Sequence, residues 1–109
     1  MLSDDIKEEL VRGLTEIFQR NMSAIILYGS VARGEATDES DVDIAIVIKK
    51  EMDGQTKKRF ISWAADMDIR HERVFSIVDI QEENMEKWER ILPFYQNIRK
   101  EGIVLWRAA

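Results

Sequence analysis

Cysteine is absent from this 109-residue sequence, which excludes a disulfide framework and a thiolate metal site. The absence fits the reducing cytoplasm, where we expect this chain to reside. No apolar run approaches the ~20 residues that a membrane-spanning helix needs. The N-terminal segment MLSDDIKEEL is acidic, whereas a signal peptide begins with basic residues. The sequence therefore predicts a globular protein without a membrane segment.

Positive charge is also scarce, since 16 Lys and Arg residues face 21 Asp and Glu residues and the net charge is −5. General binding to a nucleic-acid backbone needs a basic face, so we do not expect it. A local basic patch can still form around KKRF, residues 57–60. At this length, with 45% apolar residues, the chain can build a single core. We predict one domain over residues 1–109.

The spacing of apolar residues predicts eight elements in the order α-β-β-α-β-α-α-β. Helices are predicted over 4–20, 56–68, 82–91 and 94–102, and strands over 24–28, 41–48, 73–78 and 103–106. Ser3 is a candidate N-cap for the first helix. In the second helix we expect Phe60, Ile61, Ala64 and Met67 to face the core. This order predicts an α+β fold with a mixed sheet flanked by helices.

A Gly-Ser pair at the end of the first strand is the first candidate binding feature. After Gly29 the segment SVARGE can turn sharply into a short helix, whose first N–H groups attract anions. Gly29 allows a phosphate to approach the backbone, and the Ser30 hydroxyl can donate one hydrogen bond. Arg33, one turn later, can neutralise phosphate charge. We predict a phosphate-binding loop over Gly29–Gly34.

Two carboxylates at the start of the next strand form the second candidate feature. Asp41 and Asp43 are two residues apart, so in a strand they point to the same side with α-carbons roughly 6.6 Å apart. Two like charges at this spacing raise each other's pKa unless a cation lies between them. Mg²⁺ prefers one or two carboxylates together with substrate phosphates. The pair therefore predicts a metal site for chemistry on a nucleoside triphosphate.

Each feature alone has an ordinary structural explanation, because Gly-Ser occurs in many turns and Asp-x-Asp can be an exposed strand start. Together, between two strand-like segments, they are far more specific. GSVARGEATDESDVDIAIVI resembles the signature of DNA polymerase β-type nucleotidyltransferases, a Gly-Ser pair followed by two Asp separated by one apolar residue. ARGE, SDVDI and the C-terminal PFYQNIRKEGIVLW resemble the compact minimal nucleotidyltransferase (MNT) branch.

The resemblance implies that Gly29 and Ser30 hold the triphosphate of ATP, while Asp41 and Asp43 hold one or two Mg²⁺ ions. It implies transfer of a nucleoside monophosphate to a hydroxyl of a protein or small molecule. Compact members often pair with an all-helical HEPN protein as a toxin–antitoxin module, so we expect such a partner or a second copy of this chain. The alternative is a degenerate transferase that neutralises a partner by contact.

A third acid, which members of this family commonly carry on a neighbouring strand, has no clear counterpart in the sequence. The matching segment, RVFSIV, contains no acid. Asp79 is the nearest downstream candidate, but it stands three residues before Glu82, a spacing typical of a capping box. Asp79 is thus either a third catalytic acid or a helix N-cap, and the cap is favoured. Glu72 is a weaker alternative for the acid.

Overall fold

The computed structural model describes residues 2–37 and 40–109, and its elements follow the predicted order. The helices are α1 (Asp4–Phe18), α2 (Gly29–Arg33), α3 (Gly54–His71), α4 (Glu82–Trp88) and α5 (Pro93–Glu101). The strands are β1 (Met22–Tyr28), β2 (Val42–Ile48), β3 (Phe75–Gln81) and β4 (Ile103–Arg107). A short 3₁₀ turn, Gln19–Asn21, joins α1 to β1.

The four strands form one mixed sheet in the order β3-β2-β1-β4. β1 runs antiparallel to both β2 and β4, whereas β2 and β3 are parallel and are joined by the α3 crossover. This arrangement confirms the predicted mixed sheet with flanking helices. It also places the end of β1 next to the start of β2, because antiparallel neighbours bring opposite ends together.

The sheet has two covered faces, which we name after their residues in β2. The Ile44 face carries Leu27, Ile44 and Ile77 and packs against α1 and α3. The Asp43 face carries Tyr28, Asp43 and Ser76 and is covered further along by α4 and α5. Since both sides of β2 are covered, every residue of this strand except Asp43 is buried.

Helix starts follow the chemistry of their first residues. Ser3 caps α1, as predicted, with its Oγ accepting a hydrogen bond from the N–H of Ile6 at 3.2 Å. α3 begins two residues earlier than expected, because Asp53 Oδ1 accepts from the N–H of Thr56 at 2.7 Å. None of the helices among the described residues is long and apolar enough to cross a membrane.

Two details of the predicted core and helices are wrong. Ile61 is 56% exposed, because it projects from the solvent side of α3 while Met67 is the buried residue of that helix. Asp79 is not an N-cap: β3 continues to Gln81, which precedes α4 and makes no side-chain capping bond. The strand pairing of β3 with β2 extends beyond the position where the capping pattern would begin the helix.

Substitutions of Ile46, at the centre of β2, test how much the buried core contributes to the stability of the fold. The Ile46 side chain is fully buried on the Ile44 face, so Ile46→Ala should lower the free energy of unfolding by about 2–5 kcal/mol and Ile46→Val by about 0.5–1.5 kcal/mol. Urea unfolding provides the measurement, with Ile61→Ala as the exposed control, for which we expect a change within about 0.5 kcal/mol. An Ile61→Ala variant as unstable as Ile46→Ala would contradict the packing described.

Candidate active site

The backbone of Gly29 lies directly against the side chain of Asp43. A Cβ atom added to Gly29 would collide with Asp43 Oδ2 and lie 3.1 Å from its Cγ. Gly29 also has φ +73°, a left-handed conformation that side chains with a Cβ rarely adopt. Two independent constraints therefore require glycine here. The first residue of the predicted phosphate loop therefore lies against Asp43, one of the two predicted metal-binding carboxylates.

Register explains how the two features meet. In the antiparallel pairing of β1 and β2, Tyr28 lies opposite Asp43. The residue after Tyr28 is then beside the carboxylate, and α2 begins there, at Gly29. Because α2 begins at Gly29, its first backbone N–H groups belong to the residues that directly follow this contact, and such groups can bind anions. The turn ends at Gly34, which also has a left-handed φ, +74°.

Asp43 is partly buried and Asp41 is exposed just before β2. Burial raises the pKa of the Asp43 carboxyl above its ordinary value, and the negative charge of Asp41 raises it further, whereas Arg33 lowers it. The charge of Asp41 reaches Asp43, but Asp41 precedes β2 and does not lie within it, so the placement of both carboxylates on one face of a strand stays a prediction. The pair carries more negative charge than its neighbours neutralise.

Arg33 is tied mainly to acids other than the pair. Its Nε donates to Glu35 at 3.3 Å, and one of its terminal nitrogens donates to Glu101 of α5 at 3.2 Å. These two hydrogen bonds raise the pKa of the guanidinium further above its already high value. The contact to Glu101 links α2 to α5, so Arg33 organises the loop while its charge still reaches Asp43.

The predicted third acid does not join this group. Asp79 pairs with Ile46 in the β2–β3 register, which puts it on the Ile44 face, opposite to Asp43. Glu72 is exposed at the C-terminus of α3, before β3 begins. The residue beside Asp43 on β3 is Ser76, which is half-buried. On the Asp43 face, the neighbouring strand thus presents a hydroxyl where the resemblance implies a carboxylate.

The side chains present can bind Mg²⁺ only together with the substrate, whose phosphates would supply the remaining ligands. Among residues 2–37 and 40–109, no group of three or more His, Asp or Glu side chains is placed to hold a metal ion. Mg²⁺, however, is commonly bound by one or two carboxylates, substrate phosphates and water. Asp41 and Asp43 can supply the carboxylates, and a cation at this point would offset the repulsion that raises the pKa of Asp43.

Two residues at this site were not singled out by the sequence. Ser76 belongs to it through strand pairing, which no local pattern reveals. Phe94, the second residue of α5, reaches Tyr28 with ring centroids 5.8 Å apart. The apolar spacing of the C-terminal segment assigns Phe94 to a helix but cannot say that this helix begins beside Tyr28.

A larger groove lies on the other side of the molecule, between α1 and α3. Its volume is about 740 Å³, and Trp63 contributes to its lining beside Gly13. Its charged residues have both signs, and they include none of the residues of the Gly29–Asp43 site. Cavity size alone therefore does not locate the candidate active site, whose groups lie where the end of β1 meets the start of β2.

Comparison with known proteins gives consistent matches. The family model described as polymerase beta nucleotidyltransferase matches residues 12–108. A Methanocaldococcus jannaschii protein named "Putative protein adenylyltransferase" is 31% identical over 102 residues, which cover 91% of this chain and 93% of that protein.

Two solved structures share the fold. A toxin–antitoxin complex with AMP-PNP matches with TM-score 0.68 and 19% identity, over 94% of this chain and 73% of the other. The tri-AMPylated HEPN toxin of Shewanella oneidensis in complex with its MNT antitoxin matches with TM-score 0.59 and 17% identity, over 94% and 70%. At these identities the likeness concerns the fold alone.

Gly29 and Gly34 form a matched pair for testing the contact with Asp43. Both have nearly the same left-handed φ, so an alanine at either position should cost roughly 1–2 kcal/mol in backbone strain. A Cβ at Gly34 meets no atom within 4 Å, whereas one at Gly29 meets Asp43. Gly29→Ala should therefore destabilise the protein more than Gly34→Ala in urea unfolding. In an Asp43→Ala background, Gly29→Ala and Gly34→Ala should lower the free energy of unfolding by nearly the same amount. If the two alanine substitutions cost the same with Asp43 present, the close approach would be contradicted.

Asp43→Asn should stabilise the protein at neutral pH. The pKa of Asp43 is higher in the folded protein than in the unfolded chain. Over the pH interval between these two pKa values, the folded protein keeps the carboxyl proton and the unfolded chain has lost it. Above that interval, the ionised carboxylate therefore lowers the free energy of unfolding. The gain from Asp43→Asn should vanish below the ordinary pKa of 3.8. Urea midpoints between pH 3 and 8 provide the measurement.

Asp41→Asn is the control for the same experiment, since it removes the neighbouring charge and should move the pKa of Asp43 downward in an NMR carboxyl titration. A loss of stability in Asp43→Asn at neutral pH would mean that the native state favours the carboxylate, contrary to this assignment.

Proposed function

This chain belongs to the polymerase beta nucleotidyltransferase family, and we propose that it transfers the nucleoside monophosphate part of ATP to a hydroxyl group. The acceptor oxygen forms a bond to the α-phosphorus, the bond from that phosphorus to the β-phosphate oxygen breaks, and pyrophosphate leaves. The proton of the acceptor hydroxyl passes to solvent or to a basic group of the acceptor.

The observation that carries this proposal is the contact between Gly29 and Asp43. It puts the donors that can hold phosphate next to the carboxylates that can hold a phosphate-bound cation. A helix start binds anions in many proteins, and an acidic pair occurs at many strand starts. Their direct contact suits a ligand that bears both negative phosphates and a positive ion.

The chain's own groups would then have separate tasks. The backbone N–H groups after Gly29 and the Ser30 hydroxyl would donate to phosphate oxygens and fix the triphosphate. Arg33, held by Glu35 and Glu101, would keep α2 in place and add positive charge near the leaving pyrophosphate. Asp41 and Asp43 would hold Mg²⁺, which when bound neutralises charge developing on the phosphates.

A protein is the acceptor that we favour. The relative from Methanocaldococcus jannaschii is named as a protein adenylyltransferase, and one of the structures with this fold contains an AMPylated HEPN toxin. We therefore propose a helical HEPN-type partner as the source of the hydroxyl.

One observation favours a second candidate function, a nucleotide-binding or partner-binding protein without transfer activity. Ser76 stands beside Asp43 where a third acid would activate the acceptor hydroxyl. A neutral serine is a poor base near pH 7, so transfer would depend on a base from the partner. In the binding function, the chain would neutralise its partner by contact, with Asp43 dispensable for the complex.

The decisive experiment uses ATP labelled in the α-phosphate, Mg²⁺ and the product of the adjacent gene as the candidate partner. Transfer should label the partner and release pyrophosphate, and EDTA should abolish both. Asp43→Asn should lower labelling at least a hundredfold, since a lost ion ligand removes much of the charge stabilisation. Asp79→Asn is the matched control: it removes the same charge from the opposite face and should leave labelling unchanged.

The outcomes separate the two functions. A stable complex with the partner but no label, unaffected by Asp43→Asn, would replace transfer by the binding function. ATP affinity that is equal with and without EDTA would contradict the assignment of Asp41 and Asp43 as metal ligands.

A further inference from the structure

We propose that Phe94, supported by Tyr28, is the platform on which the nucleobase of the triphosphate stacks. This inference rests on the proposed function and adds a base subsite to the phosphate and metal groups already described. The two rings meet edge to face at the N-terminal end of α5, next to the loop that would hold the phosphates.

Tyr28 connects this platform to the reacting groups. It directly precedes Gly29 and lies opposite Asp43 in the β1–β2 pairing, on the same face of the sheet. Burial raises the pKa of the Tyr28 phenol, and the charge of Asp43 raises it further. A triphosphate bound after Gly29 would therefore have aromatic surface at one end of its phosphate chain.

Phe94 provides the accessible part of that surface. Its side chain is 42% exposed, although it is a large apolar group at the start of a helix that is otherwise anchored by buried Ile98. Edge-to-face contacts to Tyr28, at 5.8 Å, and to Tyr95, at 5.5 Å, fix the orientation of its ring. An exposed ring held on two sides is suited to stacking with a flat ligand.

The position of Phe94 favours a nucleobase over other apolar occupants. Ile91 and Leu92 are also exposed nearby, but neither has the planar π-face that bases stack on, and neither contacts Tyr28 in a ring pair. Stacking is tolerant of base identity, because every base has such a face. We therefore expect removal of the Phe94 ring to lower the affinities for ATP and GTP by similar factors.

Calorimetric titration of Mg·ATP and of Mg·triphosphate (the inorganic ion) separates base binding from phosphate binding. Phe94→Ala should weaken ATP binding roughly five- to a hundredfold, the range typical of one base–aromatic stack, and leave triphosphate binding unchanged. Phe94→Tyr, which keeps the ring, should retain both affinities, and Phe94→Leu should resemble Phe94→Ala. Ile91→Ala, which removes a neighbouring exposed apolar group, is the control and should alter neither affinity.

The results distinguish failure of the platform from failure of the proposed function. If triphosphate binds but Phe94→Ala leaves ATP affinity unchanged, or weakens both ligands equally, the platform is wrong while the phosphate site stands. In that case the exposed ring belongs to acceptor docking or to packing. If the wild-type protein binds neither ligand in the presence of Mg²⁺, the proposed function falls and the platform with it.

Discussion

The close approach of the Gly29 backbone to the Asp43 carboxylate is the contact on which the site depends. It needs a residue without a Cβ that can take a left-handed φ, and it needs β1 and β2 to pair so that Tyr28 lies opposite Asp43. Given both, the chain turns at once into α2, and the start of this helix lies beside the Asp43 carboxylate. The loop between α2 and β2 then has only to connect two ends that are already adjacent.

This arrangement concentrates negative charge at the edge of an otherwise apolar core. β2 is buried on both faces, and Asp43 is its single partly exposed position. Burial and Asp41 both act against ionisation of Asp43, while Arg33, engaged with Glu35 and Glu101, offsets only part of this effect. The buried apolar residues of the same strand supply the stability that holds such a group in place, and a bound cation would relieve the remaining repulsion.

Ser76 and Phe94 set the character of the site beyond the common motif. Ser76 provides no charge beside Asp43, so under the proposed transfer function the base would have to come from another group. Phe94 provides an oriented aromatic surface beside the phosphate loop. Together they put a neutral hydroxyl beside Asp43 and an aromatic ring beside Tyr28.

The sequence by itself determined the elements and the local motif, because both depend on neighbours along the chain. Apolar spacing located the helices and strands, and the Gly-Ser and Asp-x-Asp patterns located Gly29, Ser30, Asp41 and Asp43. Only the tertiary structure decided which side of the sheet each group occupies. Asp79 lies behind the sheet and Ser76 beside Asp43 because the register of parallel β2 and β3 is set by packing across the α3 crossover, between residues more than 30 positions apart.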